Sequence, residues 1–247
     1  MATDLKELIG KSILDVIMEL PNFKLELNNG GKIIYPKISE LCFVYYDKEK
    51  PREDVDLYHQ IKVNGKISLS ELDFSKKDKM VGFTSRVRLG KPYENYEYKY
   101  AHIPLIDFDC DGYFDLMSEK NLLSLIKNKV KEITELDQGV ILKSGSKRNY
   151  HFIGTNRLLN EDDFITFLGL CLTMKYKGPG GKWINLADAK HIGHSLTPMK
   201  QMAEVENQNK EESERWSRYC FGGRFSTLRI KPKNSNDDLP KVIDVLN

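Results

Sequence analysis

Two carboxylates, Asp107 and Asp109, close the apolar run Ile103-Pro-Leu-Ile-Asp-Phe-Asp109. On an extended strand, residues two apart face the same side, with Cα atoms about 6.5–7 Å apart. Acids converging there repel one another unless a proton or a cation lies between them. An all-oxygen donor pair with open positions suits Mg²⁺ or Mn²⁺, which can keep waters and take substrate phosphates. The plainer reading is a solvated strand end running into an acidic turn, since Asp111 and Asp115 follow closely.

Three further clusters carry potential chemistry. Lys143-Ser-Gly-Ser-Lys-Arg-Asn-Tyr-His151 directly follows an expected strand. Its glycine permits close backbone approach, Ser144 and Ser146 offer hydroxyls, and Lys147, Arg148 and His151 can meet phosphate oxygens. The same residues also make an ordinary hairpin turn. Trp183-Ile-Asn-Leu-Ala-Asp188 is another apolar approach to an acid, followed by His191 and His194. With no cysteine beside them and no obvious third ligand, the two histidines make a poor zinc site. Arg224-Phe-Ser-Thr-Leu-Arg229-Ile-Lys231 alternates basic and apolar side chains, as a phosphate-facing strand or a half-exposed edge strand would.

The elements that must position these residues follow from periodicity. Apolar residues at Leu5, Leu8, Ile9, Ile13, Val16, Ile17 and Leu20 predict a helix over Thr3–Leu20, stopped by Pro21 and the Asn28–Gly31 turn. Short aromatic runs at Lys32–Tyr35, Leu41–Tyr46 and His59–Val63 predict a hairpin-rich sheet, with charged loops at Asp47–Asp56 and Ser75–Lys79 and a turn at Asn64-Gly65. Beyond residue 100 the pattern reads strand 103–109, helix 116–136, strand 139–143, a polar turn, and strand 150–154. A helix then runs from an Asn160 cap through Met174, with Asp162 and Asp163 in its first turn. Lys177–Lys182 is a loop, and 224–230 a strand. The polar stretch Gln201–Arg218 is expected to be a mobile insertion, or failing that a solvated helix. Strands and helices mix without strict alternation, which favours an α+β fold over a doubly wound sheet.

Bulk properties narrow the class. A chain of 247 residues needs no covalent stapling to bury a core. Cys42, Cys110, Cys171 and Cys220 are far apart, so small buried residues in a reduced, cytoplasmic protein are expected. No apolar run is long enough for a membrane span. A net charge of +2 leaves any nucleic-acid signal to local clusters.

Taken in order, the paired Asp, the Ser/basic/His turn, the later Asp and the basic strand resemble the archaeo-eukaryotic primase superfamily. Its first motif, an apolar strand with D-x-D, is matched by Asp107 and Asp109. Its second, a strand–turn–strand with S-G and a histidine, is matched by Ser144-Gly145 and His151. The Ser-to-His spacing is one residue longer than usual, and Arg148-Asn149 replaces the usual glycine. Asp188 is the candidate for the third metal-site acid, and Arg229 for the later basic strand. The resemblance covers residues 100–232.

It implies a primase-like fold: an N-terminal α/β unit (1–100) packed on an RRM-like antiparallel catalytic core (101–247) in one domain, with the active site between them. It further implies primase or polymerase chemistry in DNA replication, with nucleotides from NTP or dNTP added to a 3′-hydroxyl on a nucleic-acid template. Asp107, Asp109 and Asp188 would be catalytic and would hold two Mg²⁺ or Mn²⁺ ions. Ser144, Ser146, Lys147, Arg148, His151 and Arg229 would bind the nucleotide, with primer or template along surfaces such as Lys231 and Lys233. A helicase or other replication protein on another chain is a plausible partner, and a membrane is not. Two rivals stand beside this. One is a non-catalytic nucleic-acid or nucleotide-binding module on the same fold. The other is a haloacid-dehalogenase-type phosphatase, with Asp109 as nucleophile and Asp111 as general acid.

Overall fold

The computed structural model describes residues 4–47, 55–63, 72, 79–90, 100–111, 117–145, 148–196, 225–230 and 238–247. Ser146, Lys147, Cys220, Lys231, Lys233, the 201–218 stretch and the Asn64-Gly65 turn lie outside them, as does most of the two charged loops.

The N-terminal segment is not the single helix expected from its periodicity. It forms a 3-10 turn (Leu5–Leu8), helix α1 (Ile13–Glu19) and a second 3-10 turn (Leu20–Asn22). Gly10 adopts φ 84°, a left-handed conformation no helix continues through. Ser12 and Asp15 then start α1 afresh with a reciprocal capping box. The break leaves backbone groups free to pair elsewhere. Gly10 N–H donates to Val242 O at 2.8 Å, and Val242 N–H donates back to Lys11 O at 2.8 Å.

After a hairpin of β1 (Glu26–Asn29) and β2 (Lys32–Ile34) comes a sheet built on β3 (Ile38–Asp47), β4 (Val55–Lys62) and β5 (Lys79–Leu89). Short β6 (Tyr100–His102) pairs antiparallel with β5. Next come β7 (Leu105–Asp109), α2 (Glu119–Thr134), β8 (Gly139–Lys143) and β9 (Asn149–Gly154). Then follow β10 (Arg157–Leu158), α3 (Glu161–Cys171), β11 (Lys175–Lys177), β12 (Trp183–Asn185) and α4 (Ala189–Leu196). Last are β13 (Thr227–Arg229) and β14 (Lys241–Leu246).

Two antiparallel sheets organise these elements, a mixed α+β architecture. The site sheet has the order β14-β8-β9-β7, and the N-terminal sheet has the order β13-β5-β3-β4 with β6 also on β5. Alternation along β7 and β9 sends Ile106, Phe108, Tyr150 and Phe152 to one face, into an apolar cluster with Leu122 and Ile126 of α2 and Phe164 and Leu168 of α3. Leu105 and Ile153 point to the other face, into a second cluster with Phe43 of β3, Phe83 of β5 and Ile17 of α1. Residues on the second face therefore look into the space between the two sheets. Cys42, Cys110 and Cys171 are buried and form no disulfide among the described residues. Among the described residues no helix is long and apolar enough to cross a membrane.

Candidate active site

Asp107 and Asp109 share the inter-sheet face of β7, where antiparallel register sets Asp107 opposite His151 and Asp109 opposite Asn149. His151 Nε2 lies 3.7 Å from Asp107 Oδ1, too far for a hydrogen bond. Among the described residues nothing partners the buried Nδ1 of His151. Burial pushes the imidazole down to about 4 against the upward pull of Asp107, so the ring is neutral at physiological pH. Burial also raises the Asp107 carboxyl, with Asp188 and Asp109 adding to the rise and His151 and Arg229 opposing it.

Asp188 reaches this point through the backbone. A bridge between Phe108 and Ala187 extends the sheet beyond β7, and Asp188 N–H donates to Asp107 O at 2.8 Å. Asp188 is also the cap of α4: its Oδ1 accepts from Lys190 N–H at 2.8 Å and His191 N–H at 3.2 Å. That second role follows from an acid standing just before Ala189-Lys-His-Ile, a helix-start pattern the sequence reading passed over. His191, one turn along, has a buried Nε2 with no partner among the described residues, and burial lowers its pKa.

Positive charge comes from the other sheet. β13 pairs with β5, with Arg229 opposite Gly82, and lies against β7. Arg229 Nη2 donates to the buried Ser144 Oγ at 3.3 Å. Ser144 itself follows β8, and its N–H donates to Asn149 O at 2.9 Å across the turn. Arg148 is directed elsewhere: its Nη1 donates to the Met117 carbonyl ahead of α2. Asp111 N–H donates to Asp109 Oδ1 at 3.4 Å, closing the acidic turn.

The fold therefore brings Asp107, Asp109, Asp188, His151, Ser144 and Arg229 to one region, with Arg148 at its edge. An open cleft of about 280 Å³ adjoins them, lined by Asp109, Asp188, Asn185, Lys182 and Trp183. The donor set suits a divalent cation, since burial raises Asp107 and the neighbouring carboxylates Asp188 and Asp109 add to the rise. Among the described residues, though, no three His, Cys, Asp or Glu side chains stand close enough together to grip one ion. Trp183, 62 % exposed at the cleft, carries no weight in the sequence reading because it looked like part of an apolar approach to Asp188.

A family model described as "Archaeo-eukaryotic primase 1D-like" matches residues 60–205, more than half of the chain. No curated protein and no solved structure matches.

Proposed function

The chain belongs to the archaeo-eukaryotic primase-like family, and on that premise we propose that it is a nucleotidyltransferase acting on nucleoside triphosphates and a nucleic-acid 3′-hydroxyl. The observation that carries the proposal is the convergence of three acids beside a neutral histidine and an arginine–serine pair, with Asp107 raised by burial and further by Asp188 and Asp109. We read the β7-α2-β8-β9-α3 order as the RRM-like core, with the N-terminal sheet as the second wall of the site.

Asp107, Asp109 and Asp188 would hold the divalent ions, which supply activation of the 3′-hydroxyl and neutralisation of the leaving pyrophosphate. Asp107 and Asp109 present oxygens from one strand face, so they set the spacing between nucleophile and triphosphate. Asp188 uses one oxygen to start α4 and keeps the other for the site. Arg229, already oriented by Ser144, would neutralise charge on the phosphates, and His151 would donate from an uncharged ring. Ser146 and Lys147 are proposed to complete the phosphate contacts. Arg148 is the weakest of the proposed ligands, because its guanidinium already serves the Met117 carbonyl.

The test is incubation of the chain with single-stranded template, labelled NTP or dNTP, and Mg²⁺ or Mn²⁺, with and without primer. Incorporation that disappears in Asp109→Ala supports the proposal, and full incorporation in that variant overturns it. A binding module without turnover is the second reading, favoured by the want of a close three-ligand cluster among the described residues. Template binding with no elongation under either metal selects it.

A further inference from the structure

β11 and β12 form a two-stranded antiparallel ribbon, with Lys175 opposite Asn185, Tyr176 opposite Ile184 and Lys177 opposite Trp183. Alternation divides it cleanly. Tyr176 and Ile184 pack against the apolar cluster under α2 and α3. Lys175, Lys177, Trp183 and Asn185 all lie on the outer, exposed face. Lys182 is exposed beside them and, like Trp183 and Asn185, lines the cleft that also contains Asp109 and Asp188.

The ribbon is a built object. Gly178 N–H donates to Lys182 O at 2.9 Å, closing the turn. Gly180 and Gly181 carry it round at φ 76° and 79°, where side chains are disfavoured. A Cβ at position 178 would stand 2.7 Å from Ile184 Cδ1, so the turn packs against its own inner strand. Among the described residues, Lys175, Lys177 and Lys182 are engaged in no ion pair. A tryptophan this exposed is unusual, because its indole ordinarily contributes large burial to a core or interface.

We propose that the outer face of the β11–β12 ribbon is a docking surface for a single-stranded nucleic acid, with Trp183 stacking on a base and Lys175, Lys177 and Lys182 meeting backbone phosphates. Three unpaired cations around one exposed indole match a strand in which flat bases alternate with charged phosphates. The shared cleft then gives the strand a direction, since Trp183 and Lys182 line it together with Asp109 and Asp188. A strand held on the ribbon brings its next nucleotide to the acids. This rests on the proposed transferase reading for its purpose, but not for its chemistry: binding needs neither metal nor turnover.

The test uses the full chain and labelled single-stranded dT and rU homopolymers, followed by anisotropy across a salt series without metal or triphosphate. Trp183→Ala is expected to weaken binding about five- to 150-fold, with Trp183→Phe restoring most of it. Replacing the three lysines together with Ala is expected to flatten the slope of log K against log salt by about two units, near 0.7 per phosphate contact. Thermal melting should move little in any of these variants, because every altered side chain is exposed. Wild-type binding that neither set of changes weakens overturns the proposal, and so does a wild-type chain that binds neither polymer. Triphosphate incorporation, measured separately with Asp109→Ala, reports on the transferase reading whichever way binding falls.

Discussion

His151 and His102 are both buried, both pushed down in pKa by that burial, and both beside a carboxylate, yet their surroundings differ in kind. His102, on β6, has each ring nitrogen engaged: Ser85 Oγ lies 3.1 Å from Nδ1 and Glu161 Oε2 lies 3.1 Å from Nε2. Its ring stacks on Phe164 at 4.0 Å, nearly parallel. The chain of contacts continues, because Ser226 N–H donates to Ser85 Oγ, Ser226 Oγ to Ser195 Oγ, and Ser195 Oγ to the His191 carbonyl. His151 has one orphaned nitrogen and one distant acid. A buried polar group costs stability unless it is hydrogen-bonded, and a satisfied network fixes one arrangement. Satisfaction at His102 marks a device that holds β6, α3, α4 and the approach to β13 together. Incompleteness at His151 marks a position that waits for something.

Substitutions can break that contrast. The largest effect is expected at Asp107→Asn, which should lower nucleotide incorporation by about a thousandfold or more. The same change relieves a raised carboxyl, so thermal melting at pH 7 should show a fold as stable as the wild type or about 1 kcal/mol more stable. A large loss of stability would mean that Asp107 belongs to the scaffold.

Next is His151→Leu, close in volume and without the orphaned nitrogen. It is expected to cost about a hundredfold in kcat/KM for the triphosphate, while denaturant titration shows a stability change under about 1 kcal/mol. The pH dependence sharpens the point. His151 has a folded pKa of about 4 against an ordinary 6.5, so between those values the unfolded chain holds more protons than the folded one. Its contribution is complete above pH 6.5 and is lost as pH falls through 4, up to about 3 kcal/mol in all. The raised Asp107 works in the opposite sense at low pH, so the His151→Leu series isolates the histidine's part as a flatter curve.

His102→Leu inverts the pattern. It leaves Ser85 and Glu161 without the ring, and is expected to destabilise the fold by about 1–3 kcal/mol with little change in kcat below the melting range. Smallest is Ser226→Ala, which removes one hydroxyl from the middle of the same chain and should cost about 0.5–1.5 kcal/mol.

The regions legible in sequence are those where one physical signal acts alone. The run into Asp109 alternates over a two-faced sheet, and Asn160 caps α3 by accepting from Asp163 N–H at 2.8 Å, as its position before the acidic turn implies. β5 escaped because its residues from Met80 to Arg86 are buried whatever their polarity. Thr84 and Ser85 are satisfied there by partners such as Cys42 O and His102, so no alternation survives to read. The N-terminal periodicity marked the buried residues, Ile9 excepted, but was blind to Gly10. The paired acids and Ser144 stand out by type and spacing. The His102 network does not, since Ser85, His102, Glu161, Ser195 and Ser226 meet only through tertiary packing. Trp183 was hidden because an apolar letter in a strand reads as core, and only the ribbon's pairing turns it outward.

The pairing of β13 with β5 and of β14 with β8 has a consequence in time. Each sheet receives an edge strand from residues 227–246, far along the chain from β7. The Asp107–His151 face can close once the hairpin of β8 and β9 has been synthesised, whereas Arg229 emerges seventy-eight residues after His151. A growing chain thus presents its carboxylates before the cation that faces them, and neither sheet reaches its full described width until β13 and β14 have been made. Contacts this distant in sequence close slowly. The two halves of the site therefore meet only after every acid of the first has been made.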